Sequence, residues 1–221
     1  PTDRESRSAY PSRGLTWLYE VTGNRGYWNE AVDRVLWFLD GALTDSGQVR
    51  GVIKDDDRLS MLYAGYSLVG LTNVHERTGN DVLLAAMKNV GDWLIRVQGA
   101  YDGPFSVNAG TWAADEKRGS RSMVGPGNVG TTTLCAEVQT YLAQVTGEQK
   151  YFYSGAAAWA NMVTSSRHNW INGGLPMQTE NRWRTGTWSD KLAPYLHRMP
   201  ALAERHDWPF VVEGVFDPDA K

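Results

Sequence analysis

A single cysteine in 221 residues allows no internal disulfide. Cys135 falls within a helical pattern, where a small buried hydrophobe is the expectation. No apolar run approaches the roughly 18 residues of a membrane span, so no membrane partner is expected. Pro1 opens no signal peptide, and no localisation follows from these residues. Basic charge is scarce too: 22 Lys and Arg stand against 25 Asp and Glu, a net charge of −3. With no basic run or face, nucleic acid is not an expected partner. No His/Cys cluster shows metal-ligand spacing. Gly125-Pro126-Gly127-Asn128 lacks the Gly-Lys-Ser/Thr of a phosphate loop. Neither a metal nor a cofactor is therefore expected.

What the chain has in plenty is tryptophan and tyrosine, ten of each. Large aromatics fill helical cores, which accounts for most of them. Several fall in loops, where core packing is a poorer explanation.

A repeat organises the sequence. Leu15-Thr16-Trp17-Leu18-Tyr19-Glu20-Val21-Thr22-Gly23 matches Leu71-Thr72-Asn73-Val74-His75-Glu76-Arg77-Thr78-Gly79 at leucine, threonine, glutamate, threonine and glycine. A third copy, Thr140 to Gly147, keeps the shape with Gln144 for the glutamate. Each copy precedes a second helical segment, at 27–40, 80–98 and 148–166, and Trp37 and Trp93 both stand fourteen residues beyond their glycine. Such self-similarity predicts stacked helical hairpins. Segment 80–98 has one apolar stripe and a charged side, whereas 57–77 and 129–146 carry little charge in their middles. The expected fold is therefore all-α: an α/α toroid, incomplete or partial, with inner and outer helices alternating in one domain over 1–221. Helices near 189–206, interrupted by Pro194 and Pro200, would begin a fourth pair, and 208–216 would add a short strand.

Turns from inner to outer helices are a few residues around Thr-Gly. The returning connections, roughly 41–56, 99–128 and 167–188, are long and would emerge together at the N-termini of the inner helices. The first holds Asp55, Asp56 and Asp57 immediately before a predicted helix. Capping explains one or two carboxylates there. Three in a row repel one another, and a carboxyl kept protonated beside an ionised neighbour is an acid/base pair. Both readings stand on sequence alone. The second loop carries Asp102 in ordinary Asp-Gly-Pro turn chemistry, then Trp112, Asp115, Glu116 and Arg121. The third carries His168, Trp170, Asn172, Glu180, Arg182, Trp183 and Trp188. A lone histidine is more often structural than catalytic. Indoles interleaved with arginines and amides suit sugar rings, whose apolar faces stack while their hydroxyls need planar polar partners.

The Tyr-Glu-Val-Thr-Gly-Asn and His-Glu-Arg-Thr-Gly-Asn turns, with the helices after them, resemble the α/α-toroid carbohydrate-active enzymes. That group includes glycoside hydrolases, polysaccharide lyases and sugar epimerases, and the resemblance covers about residues 12–206. It implies an oligosaccharide or polysaccharide substrate, most readily hydrolysed. The adjacent aspartates resemble those of α-mannanase-type hydrolases, which implies nucleophile and acid/base roles for Asp56 and Asp57, with Asp55, Asp102 or His168 as further catalytic candidates. Trp112, Arg121, Trp170, Asn172, Arg182, Trp183 and Trp188 would then bind substrate. Asp102, Glu116 or Glu180 would supply a partner carboxyl if neighbours in sequence stand too close for hydrolysis. A lyase or epimerase would instead use His168 or a tyrosine as base. A glycan- or protein-binding helical module, and a class II terpene cyclase resembled by Lys54-Asp55-Asp56-Asp57 and Asp102-Gly103-Pro104-Phe105, are the other readings. Toroids of this kind close with five to seven hairpins. The three read here, with a fourth beginning, imply exposed apolar flanks, covered by a homo-oligomer or by further chain.

Overall fold

The computed structural model describes residues 9, 11–42, 59–98, 115–116, 129–167, 201–202 and 204–206. Among the described residues six helices form three hairpins: α1 (Ser12–Thr22) with α2 (Arg25–Trp37), α3 (Met61–Thr78) with α4 (Asp81–Val97), and α5 (Val129–Thr146) with α6 (Gln149–Arg167). A π-helical turn, Phe38–Ala42, extends α2. Helix α3 packs against both α1 and α5, while α2 and α4 lie against its other sides. That is the alternation of inner and outer helices expected from the sequence. Among the described residues no helix is long and apolar enough to cross a membrane.

The repeat is a set of backbone bonds made three times. Gly23, Gly79 and Gly147 adopt φ of 68°, 60° and 73°, a left-handed conformation that a side chain resists. Each glycine amide donates back into its helix, to Tyr19, His75 and Ala143. Thr22, Thr78 and Thr146 donate to the carbonyls four residues earlier, and each hydroxyl also accepts from the amide two residues on. Seven residues before the glycine stands a second threonine. Thr16, Thr72 and Thr140 donate to the carbonyls of Arg13, Val69 and Glu137, at 2.8, 2.8 and 2.9 Å. Asn24 and Asn80 then cap the outer helices through Gly26, Val82 and Leu83 amides. The recurring threonines and glycines are thus hydrogen-bonding hardware.

Burial separates the inner helices. Leu134, Cys135, Ala136, Val138, Leu142 and Ala143 of α5 are buried with Thr132, Thr133, Glu137, Gln139 and Thr140. Helix α3 is equally enclosed from Ser67 to His75. Its Gly70 admits a neighbour's backbone, since a Cβ there would lie 1.8 Å from the Ala9 carbonyl oxygen. Cys135 is fully buried, and burial pushes its thiol pKa up, so it behaves as an unreactive core residue. Helix α1 has an open apolar flank instead, with Trp17, Leu18 and Val21 at 50%, 45% and 86% exposure.

The segment 201–206 docks on the third hairpin. Leu202 is buried, His206 stacks on Phe152 at 4.4 Å, and Arg205 donates to the Gln144 carbonyl at 3.3 Å. Residues 201–202 and 204–205 are helical, and the rest of the segment read as 189–206, like the proposed strand at 208–216, lies outside the described residues apart from His206.

Candidate functional site

The three inner helices run in the same direction, so their N-termini mark one end of the molecule and the Thr-Gly turns the other. At the N-terminal end the structure corrects the sequence reading. The acidic triplet was expected to open the helix, yet α3 begins at Met61 and has no acidic residue in its first turn. Leu59–Ser60 are extended (β1) and pair antiparallel with Asp115–Glu116 (β2), Leu59 opposite Glu116 and Ser60 opposite Asp115. Pairing to the second loop holds these residues out of the helix. Capping of α3 therefore does not account for Asp55–Asp57, four to six residues ahead of it.

Polar groups tie the inner helices together at three heights above the turn glycines. Nearest the turns, an Arg77 Nη2 donates to Glu20 Oε1, linking α3 to α1. Higher up, His75 Nδ1 and the Tyr141 hydroxyl meet at 2.6 Å, joining α3 to α5 in a buried, edge-on ring contact. Desolvation lowers the pKa of His75 despite the opposing charges of Asp81 and Glu76. The ring is thus kept neutral, with Nδ1 able to accept from the hydroxyl. Highest, Arg13 Nη1 stands 3.4 Å from Glu137 Oε2. Arg13 and Glu137 both lie ten residues before their glycine, on α1 and α5. The Arg13 guanidinium also lies over the Trp17 ring, 5.1 Å from its centre.

The sequence reading missed Arg13, Trp17, His75, Glu137 and Tyr141. One signal was present: Glu137 is the sole charged residue of the otherwise uncharged α5. A buried carboxylate on such a helix requires a cation or donors of its own.

Of the candidates read from sequence, Asp55, Asp56, Asp57, Asp102, Trp112, Arg121, His168, Trp170, Asn172, Arg182, Trp183 and Trp188 lie outside the described residues, as does Glu180. Glu116 is described through its backbone and lies beside the entry to α3. Among the described residues no group of three His, Cys, Asp or Glu could hold a metal ion.

No protein-family model matches the chain, and no curated protein sequence matches it. Solved structures do. An unsaturated glucuronyl hydrolase from Streptococcus agalactiae superposes with a TM-score of 0.59 at 15% identity, over 89% of this chain and 57% of that one. A polysaccharide lyase gives 0.59 at 12% identity, over 90% of this chain and 60% of its own. A family 76 glycoside hydrolase (mannosidase) from Bacteroides thetaiotaomicron gives 0.54 at 12%, over 90% and 70%. All three are α/α-toroid enzymes, and the chain shares that fold. It spans less than two thirds of the length of the hydrolase and the lyase.

Proposed function

We propose that the chain carries part of the glycan-binding cleft of an α/α-toroid carbohydrate-active enzyme, and that this enzyme hydrolyses a glycosidic bond. The observation that carries the reading is the pairing of β1 with β2. It sets Asp115 and Glu116 of the second loop beside the two residues that lead into α3. Asp57 precedes Leu59 by two residues, a span of at most ~7 Å along the chain. Paired residues on antiparallel strands have Cα atoms about 4.5–5.5 Å apart. Hydrolysis needs two carboxyl groups about 5–9.5 Å apart across the scissile bond. A pair drawn from the two loops meets that requirement more readily than adjacent aspartates do.

In this reading Asp57 or Asp56 is the ionised carboxylate and Glu116 the general acid. The loop tryptophans Trp112, Trp170, Trp183 and Trp188 stack on the sugar rings. The fold of the hydrolases and the lyase is common ground, so the reading gains its direction from the carboxylates rather than from the likeness. Asp56→Asn, Asp57→Asn and Glu116→Gln, each checked for intact fold by circular dichroism, are the test. Loss of turnover in Glu116→Gln and in at least one aspartate variant is the expected result. Full activity in all three sinks the assignment.

A lyase is the second reading, since the toroid fold that the chain shares with a polysaccharide lyase does not by itself choose the reaction. There His168 is the base and an arginine binds the uronate carboxylate, and the products carry an unsaturated ring.

A further inference from the structure

The Arg13–Glu137 contact has features that a purely structural ion pair would lack. Helices α2 and α4 cover the outer sides of α3, and α1 and α5 flank it. A bridge between α1 and α5 therefore crosses α3 on the side away from the outer helices, which is the inside of the ring. Glu137 is enclosed there, its side chain only 3% exposed, while the arginine side chain keeps 18% and the Trp17 residue 50%. The contact is single-point and long at 3.4 Å, not the two-point fork that a guanidinium and a carboxylate form when they close on each other. Among the described residues, no hydrogen bond from Nε or Nη2 of Arg13 to another side chain accompanies it. Carboxylate and indole together hold the guanidinium, and part of the arginine side chain stays exposed beside the half-exposed indole.

We propose that Arg13, held between Glu137 and Trp17, binds the carboxylate of a uronic acid residue of the glycan, with Trp17 under the sugar ring. The inference rests on the carbohydrate reading above and deepens it to an acidic substrate class. The guanidinium fork matches a carboxylate in geometry and charge, whereas a hydroxymethyl group at the same place offers it a single neutral acceptor. Glu137 satisfies only one N–H of Arg13 and serves to orient it. The level of the pair also fits. Counted from the turn glycines, Arg13 and Glu137 stand level with Val69, eight residues below the start of α3, which is ~12 Å at 1.5 Å per residue. That depth accommodates a sugar residue between the paired strands at the rim and the arginine at the floor.

The test is calorimetric binding of glucuronate- and galacturonate-containing disaccharides and of the same disaccharides after carboxyl reduction, which changes the charge and keeps the linkage. The wild-type chain should bind a uronate form more tightly than its reduced counterpart. Arg13→Lys, which keeps a cation for Glu137, should weaken the uronate form about tenfold or more and the reduced form by much less. Trp17→Ala should weaken both. A folded Arg13→Lys protein that binds the uronate form as the wild type does, or loses both forms equally, overturns the proposal and leaves the carbohydrate reading standing. If the wild type binds no sugar of either set, the carbohydrate reading falls and this proposal with it.

Discussion

The two ends of this molecule are built on opposite principles. At the turn end three hairpins use the same residues for the same bonds: threonine to carbonyl, glycine amide to carbonyl, and, in the first two hairpins, asparagine onto the next helix. At the loop end no connection resembles another, and a strand pair ties the first to the second. Repetition holds the ring together, and departures from it mark where chemistry can be placed. Arg13, Val69 and Glu137 show this within the helices. They share one register, and only the two charged residues reach each other across α3.

If that division is real, changes at the two ends should separate activity from stability. The largest expected effect lies at the loop end. Glu116→Gln should lower turnover by about 10²–10⁴-fold while leaving the thermal midpoint unchanged. A parallel loss of stability would blur the division. Next comes the enclosed wall: Leu142→Ala should cost about 2–5 kcal/mol in denaturant unfolding, because Leu142 is fully buried where α5 meets Gly91 of α4. Activity per folded molecule should survive it.

At the turns, Gly79→Ala should cost about 1–2 kcal/mol through its positive φ alone, since nothing lies near its Cβ position. Gly23→Ala should match it, which would show that the hardware is interchangeable. His75 adds a pH dependence. Its pKa is lowered in the folded chain from an ordinary 6.5, so its contribution is full above pH 6.5 and is lost as pH falls toward the folded value. Comparing stability of the wild type and His75→Gln between pH 7 and about 5 should show a shallower decline in the variant. The smallest effect should be at the half-exposed Glu20, where Glu20→Gln should cost less than about 1 kcal/mol in thermal unfolding.

How far the sequence reached follows the same division. Helices α3, α4, α5 and α6 lie within a few residues of the segments read as 57–77, 80–98, 129–146 and 148–166. Their signals are local: apolar stripes, Thr-Gly stops and asparagine caps each act within one turn. The start of α3 was read four residues early because strand partners 55 and 57 residues away, which no periodicity encodes, hold Leu59–Ser60 extended. Arg13 was unreadable for a similar reason. Its partner is 124 residues distant, and only the folded register of two turn glycines brings the pair level. Glu137 alone announced itself, as a charge with nothing around it in sequence to satisfy it.

The most direct test of the account is mass spectrometry of products after incubation with neutral and uronate-containing oligosaccharides. Fragments that have each gained the elements of water, from a uronate-containing substrate and lost in Glu116→Gln, are the predicted result. Unsaturated fragments would overturn hydrolysis and transfer the chemistry to His168. An absence of products from every substrate would contradict the claim that the loop end is catalytic.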